Sequence, residues 1–117
     1  MAPSAADSPE PFVSWAVGPP QRGDRGYVTE VSIQVENPAA AESLAVLIKA
    51  DVALRAFHLF ETGPELVERS SSRRLRDGRE LIVVNGEIAG LYTAKVTTDE
   101  PVAIEAEAVL DVPMWGQ

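Results

Sequence analysis

The sequence predicts an all-β protein, an antiparallel β-sandwich of about seven or eight strands. Apolar and polar residues alternate along several segments, most regularly in 102–112. A period of two indicates a strand with one face toward a core and one toward solvent. Turn-forming pairs separate such segments, among them Asp77-Gly78 and Asn85-Gly86. The second pair most readily forms the type I′ turn of a β-hairpin.

The chain begins with a predicted arm and two predicted strands. Residues 1–11 are rich in Pro, Ala and Ser, which favours a flexible N-terminal arm. Residues 12–17 then form a short strand, and the prolines around it suit the edge of a sheet. This strand places Trp15 on its apolar side, so we expect Trp15 to lie in the core. Alternation is strict in 27–36, which predicts a second strand.

The segment 39–61 is compatible with either a helix or strands. Asn37 and Pro38 supply a helix cap and a first helical position, and the following residues are rich in alanine. On a helix, however, the charged residues point in opposite directions and no apolar stripe remains. On strands, the even positions of 44–56 are all apolar, and we favour this interpretation. Its length predicts a bend or bulge at 50–53, or a strand that passes from one sheet to the other.

The remaining chain carries the basic segment and the closing strands. Residues 65–75 predict a weak, polar strand pair or loop, and later strands are predicted at 79–84, 92–97 and 102–112. We therefore expect one domain, 12–112, followed by a tail, 113–117. Trp115 in the tail has no place in the alternation, so it either folds back onto the core or docks on a partner.

Residues Gly90 to Ala94, Gly-Leu-Tyr-Thr-Ala, resemble the tyrosine-corner segment of immunoglobulin-like sandwiches. In that family a small residue precedes the tyrosine by two positions and a cysteine follows it by two, and here Ala94 stands in the cysteine position. The resemblance gives the Tyr92 hydroxyl a hydrogen bond to the backbone before its strand. It implies an immunoglobulin-like sandwich and no particular activity. The chain departs from the family in having no cysteine pair.

A second resemblance concerns the layout of the whole chain. It has a tryptophan in its first strand and a closing pair of segments, Tyr92 to Val96 and Pro101 to Ile104. This layout is similar to that of small bacterial sandwich adaptors such as the sensory rhodopsin transducer family. The similarity implies an adaptor role.

Composition restricts the partners and the compartment. The chain of 117 residues has no cysteine and a formal net charge of −8. This charge argues against nucleic acid or an anionic membrane as the main partner, because both would repel it. Neither a signal peptide nor an apolar stretch of membrane-spanning length is present in the sequence. We expect a soluble, cytoplasmic protein without membrane insertion.

Charged residues supply the candidate contact sites. Half of the ten basic residues lie in one serine-containing segment and form a candidate anion-binding or partner-binding group: Arg69, Arg73, Arg74, Arg76 and Arg79. The simpler interpretation is a solvated edge kept basic to block edge-to-edge pairing. A candidate acidic partner surface follows the last strand: Glu105, Glu107 and Asp111. If the basic segment of one copy met this surface on another, a head-to-tail ring or filament would form.

The sequence predicts no enzyme, cofactor or metal site. Glu105 and Glu107 lie at a spacing that glycosidases use, but an exposed sheet lacks the cleft such chemistry needs. His58 is the only histidine, so zinc and nucleophilic sites lack their parts. We expect a non-enzymatic structural or adaptor subunit that binds protein, in a homo-oligomer. The alternative is a ligand-binding accessory module for a carbohydrate or a small anion.

Overall fold

The structure is a computed structural model that describes residues 10–62, 67–69 and 72–111, with only the backbone described at 67–69, 72 and 73. Most of the predicted arm and the whole predicted tail, including Trp115, lie outside these residues. The described part contains ten strands: β1 (Phe12–Val17), β2 (Gln21–Gly23), β3 (Gly26–Glu36), β4 (Ser43–Ala50), β5 (Ala56–Glu61), β6 (Val67–Arg69), β7 (Ser72–Arg74), β8 (Glu80–Asn85), β9 (Leu91–Thr98) and β10 (Ile104–Leu110). Three of them have only three residues each.

The strands form two antiparallel sheets that pack face to face. Sheet A has the order β1-β3-β9-β5-β6, with β2 beside β3, and sheet B has the order β10-β4-β8-β7. The inward residues of both sheets form one hydrophobic core, whose largest fully buried members include Tyr92, Ile33, Leu44, Ile48, Leu59 and Ile82. The predicted all-β sandwich is therefore confirmed.

The centre of β4 is buried on both of its faces. Its inward residues belong to the main core: Leu44, Val46 and Ile48. On its outer face Ala45 and Leu47 form a second cluster with Leu81 of β8, and all three are at most 1 % exposed. A strand covered on both faces reads as a continuous apolar run. The outer face becomes charged and exposed at Lys49.

The segment 39–61 is strand rather than helix, as predicted. β4 runs in sheet B, a bend follows at Asp51 and Val52, and β5 runs in sheet A. This is the predicted passage from one sheet to the other. The helix signals produce only one 3-10 turn, Pro38–Ala40, and Asn37 has a left-handed backbone with φ 58° and no side-chain cap bond. Within the described ranges no helix is long and apolar enough to cross a membrane.

One of the two predicted tight turns is observed and the other is not. Asp77-Gly78 joins β7 to β8, with Gly78 at φ 92° and the Leu75 N–H donating to the Arg79 carbonyl oxygen at 2.7 Å. The hairpin predicted at Asn85-Gly86 is wrong, because β8 lies in sheet B and β9 in sheet A. Gly86 has a positive φ, but Asn85 does not, and a type I′ turn needs both.

Three earlier strands pair with three later strands, and each such pair encloses the next along the sequence. β3 pairs with β9, β4 with β8 and β5 with β6, while β1 lies beside β10 across the two sheets. Such nesting is typical of a jelly roll. The immunoglobulin-like order is not confirmed, since its last two strands share a sheet whereas β9 and β10 lie in different ones. The tyrosine-corner bond is present: the Ala89 N–H donates to the Tyr92 hydroxyl at 2.9 Å.

Candidate assembly surface

The basic segment is distributed over both sheets. Arg74 in β7 pairs with Glu80 at 3.1 Å, and Arg76 is exposed in the turn that follows. The side chains of Arg69 and Arg73 lie outside the described residues. Of the five arginines, the structure describes the side chains of Arg74, Arg76 and Arg79, which lie on the hairpin of β7 and β8 in sheet B.

Arg79 contacts the acidic surface of its own chain. Its Nε lies 2.7 Å from Asp77 Oδ2, and its Nη1 lies 3.6 Å from Glu107 Oε1. Lys49 stands directly opposite Glu105 in the β4–β10 register. Because cross-strand neighbours on one face are close, this pairing places cation beside carboxylate. Lys49 and Arg79 thus partly neutralise Glu105 and Glu107 of the same chain.

Asp111, the third residue of the predicted acidic surface, is exposed and makes hydrogen bonds to the backbone at the start of β4. Its Oδ1 accepts hydrogen bonds from the backbone N–H groups of Glu42, at 2.6 Å, and Ser43, at 3.4 Å. Its own N–H donates to the Ser43 carbonyl oxygen at 2.8 Å. These bonds fix the end of β10 against the start of β4.

Asp77 accepts hydrogen bonds from the backbone N–H and from the guanidinium of Arg79. The Arg79 backbone N–H, and then its guanidinium, hold the pKa of Asp77 below its usual value of about 3.9. A carboxyl with a lowered pKa stabilises the fold above its unfolded pKa and loses this contribution as pH falls through its folded pKa. Asp77→Asn should therefore lower the melting temperature at neutral pH, and the difference from wild type should vanish in strong acid.

Thermal unfolding followed by circular dichroism across this pH range measures the effect. Asp51→Asn is the matched control, because Asp51 is exposed in the bend after β4. Its melting temperature should track that of wild type at every pH. A pH-independent deficit in Asp77→Asn would contradict the ion-pair explanation.

Trp15 lines a surface cleft instead of lying in the core, so that prediction is wrong. It is 39 % exposed, although it pairs with the buried Ile33 and faces the same side of sheet A. A cleft of about 260 Å³ lies beside it, and its other lining residues come mostly from the outer face of sheet B: Leu47, Lys49, Arg79, Glu105, Ala106 and Glu107. The cleft combines an indole with groups of both charges.

β1 is the most exposed long strand of the molecule's described part. Five of its six residues are exposed, and none is charged. Phe12 is 62 % exposed on the outer side of sheet A. Val17 faces inward beside Val31 yet is 42 % exposed, because β1 lies at the sheet edge where sheet B does not cover it fully. β1 is therefore an apolar strand at the edge of sheet A, and among the described strands it is hydrogen-bonded to β3 alone.

The neighbouring edge strand of sheet B, β10, is charged, unlike β1. Among the described strands β10 pairs with β4 alone, and it carries Glu105 and Glu107 on its exposed face. Charged side chains are a common protection of sheet edges against pairing with another chain, and β1 has no such protection. Of these two neighbouring edges, β1 is the one suited to accept a further strand.

The described residues include no group of three or more side chains of the metal-ligating types. His58 lies on the outer face of sheet A, half-buried, with its ring centroid 6.3 Å from that of Phe60. Comparison with protein-family models, curated proteins and solved structures found no match, so neither family resemblance is established.

Proposed function

We propose that this protein is a cytoplasmic, non-enzymatic structural or adaptor subunit that acts by protein–protein assembly, and that it self-associates. The observation that carries the proposal is β1, an uncharged apolar strand at a sheet edge. An exposed apolar edge strand is a template for pairing with another chain.

The charge distribution favours this surface over the rest of the molecule. A net charge of −8 makes copies of the chain repel one another on average. A contact between copies is therefore most favourable where charge is absent, and β1 is such a region. The Arg79 pairing within the chain also weakens the case for a head-to-tail contact, because its guanidinium already has two carboxylate neighbours.

The cleft beside Trp15 supports a second candidate function, the binding of a carbohydrate or small anion. An exposed indole offers a stacking surface for a sugar ring, while Lys49 and Arg79 can bind an anion. A ligand module of this kind would remain monomeric and gain thermal stability with its ligand. Melting curves with a panel of oligosaccharides and inorganic anions test it, with Trp15→Ala as the variant that should lose any gain.

Native mass across protein and salt concentrations tests the assembly proposal. We expect the mass, measured by light scattering or sedimentation, to rise with protein concentration. We also expect the assembly to persist at high salt, because apolar contacts are not screened. Dissociation by salt would instead support the contact between the basic segment and the acidic stripe. A monomer under all these conditions would contradict self-association.

A further inference from the structure

We infer that two copies of this chain pair through β1, antiparallel, about a two-fold axis at Trp15, so that two copies of sheet A become one continuous sheet. This inference rests on the proposed self-association and names its surface. Three features of β1 support the pairing: the direction of its backbone groups, the one register that uses all of them, and the side chains that this register brings together.

The hydrogen-bond pattern defines which backbone groups of β1 point outward. Gly18 donates its N–H to the carbonyl oxygen of Glu30, the residue directly opposite, at 2.9 Å. In an antiparallel ladder, hydrogen-bonded pairs alternate with non-hydrogen-bonded pairs. The even residues of β1 thus bond to β3, and the odd residues point their N–H and C=O groups away from it: Val13, Trp15 and Val17.

The next ladder confirms this alternation. Val35 of β3 donates its N–H to the Gly90 carbonyl oxygen at 2.8 Å. The odd residues of β3 therefore bond to β9, which leaves the even residues of β3 for β1. Both bonds give the same assignment of outward groups in β1.

Only one two-fold register pairs all three outward residues with each other. With Trp15 on the axis, it lies opposite Trp15 of the second copy, and Val13 lies opposite Val17 of the second copy. Each hydrogen-bonded pair exchanges two bonds, so these three pairs supply six. A shift of the axis toward either end of β1 loses a pair, and at the C-terminal end it brings in Pro19, which has no N–H.

The side chains in this register are complementary. On the inward face the exposed part of Trp15 meets Trp15 of the second copy, and the exposed part of Val17 meets Val13 of the second copy. On the outer face Ser14 lies beside Ala16 of the second copy, and both are small. Phe12, the most exposed large apolar residue described, lies beside Gly18 of the second copy, where a glycine leaves room for the ring. An isologous contact needs such self-complementarity.

Charge does not oppose this contact. No residue of β1 is charged, so no like charges face each other across the axis. The exposed carboxylates next to β1 lie outside the strand itself: Glu10 precedes it, and Glu36 and Glu30 stand opposite Phe12 and Gly18 on β3. On β10, Glu107 pairs with Arg79 and Glu105 stands opposite Lys49 of the same chain. A second copy can therefore pair with the β1 edge without placing a charged residue of either β1 strand inside the contact.

A lysine substitution on the edge tests the surface. Val17→Lys should raise the dimer dissociation constant at least about tenfold, because it introduces two like charges into an apolar contact. Leu91→Lys is the matched control: Leu91 is 49 % exposed, but it lies on β9 in the middle of sheet A. Its dissociation constant should equal that of wild type. An effect of Leu91→Lys alone would place the contact elsewhere and overturn the inference while leaving self-association intact.

Disulfide cross-linking tests the register, and the natural chain has no cysteine to interfere. In the proposed dimer Ser14 lies opposite Ala16 of the second copy as a non-hydrogen-bonded pair, with Cα atoms about 4.5 Å apart, which suits a disulfide. A mixture of Ser14→Cys and Ala16→Cys chains should cross-link readily on mild oxidation, and each variant alone should cross-link poorly.

Different results would contradict the β1 pairing alone and the proposed self-association as a whole. If wild type dimerises but the single-cysteine variants cross-link as readily as their mixture, or the mixture does not cross-link, the β1 register is overturned. A wild-type chain that stays monomeric at every concentration would overturn both the proposed self-association and the β1 pairing. Loss of the dimer in Val17→Lys together with cross-linking in the mixture supports the two-fold pairing.

Discussion

Gly26→Ala should destabilise the protein by about 3 kcal/mol or more, one of the two largest effects expected from a small substitution. Gly26 begins β3 with φ 125°, a backbone conformation that side chains disfavour. A Cβ atom there would overlap the backbone carbonyl oxygen of Thr98 at the end of β9. Because the obstacle is backbone, no side-chain rotation can relieve it.

Thermal or denaturant unfolding measures this effect, and Gly78→Ala is its control. Gly78 also has a positive φ, 92°, but a Cβ atom there would meet nothing within 4 Å. Gly78→Ala should therefore show only the backbone strain, about 1 kcal/mol. Equal losses in the two variants would contradict the close approach of β3 and β9 at this point.

Leu59→Ala should cost about 3 kcal/mol, because it leaves a cavity in the main core. Leu59 is fully buried in β5, between β9 and β6 in sheet A. The matched control is Leu91→Ala on β9, where the leucine is 49 % exposed and the change should stay within about 0.5 kcal/mol.

Urea unfolding of both variants gives the comparison directly. Unchanged m-values would show that the losses reflect the folded state rather than a more compact denatured one. If Leu91→Ala were as destabilising as Leu59→Ala, the outer face of sheet A would be covered, and the assignment of inner and outer faces would be wrong.

The side-chain period of two predicted much of the fold. β3, β9 and β10 occur where alternation is strict, and their inward apolar residues lie in the core or pack against it. The same pattern in 44–56 predicted strands against a local helix signal, and the excessive length of that run pointed to the change of sheet. Which face of a strand is buried follows from the alternation of its own residues, so the sequence alone predicts it.

Two predictions were wrong, the burial of Trp15 and the hairpin at Asn85-Gly86, because both features depend on how the two sheets are arranged. Alternation indicates that Trp15 faces inward, but not whether sheet B extends far enough to cover it. Asn85-Gly86 favours a hairpin locally, yet β8 and β9 pair with strands of different sheets. Turn preference of a few residues is weaker than the pairing of two whole strands.

The candidate site was only partly predictable. The basic and acidic groups were evident as charges, but the pairing of Arg79 with Glu107 depends on β4, which lies between β8 and β10. The edge position of β1 was indicated by its flanking prolines. Its outward backbone groups follow only from the register with β3, which no local pattern contains.

Amide hydrogen exchange in β1, resolved by residue and measured at several protein concentrations, tests the central claim most directly. The Ser14 and Ala16 amides should be protected at every concentration, because they bond to β3. The Trp15 and Val17 amides should exchange rapidly in dilute solution and become protected as the dimer forms. Protection of Trp15 and Val17 in the monomer, or rapid exchange of both in the dimer, would contradict a free edge that is completed by a second copy.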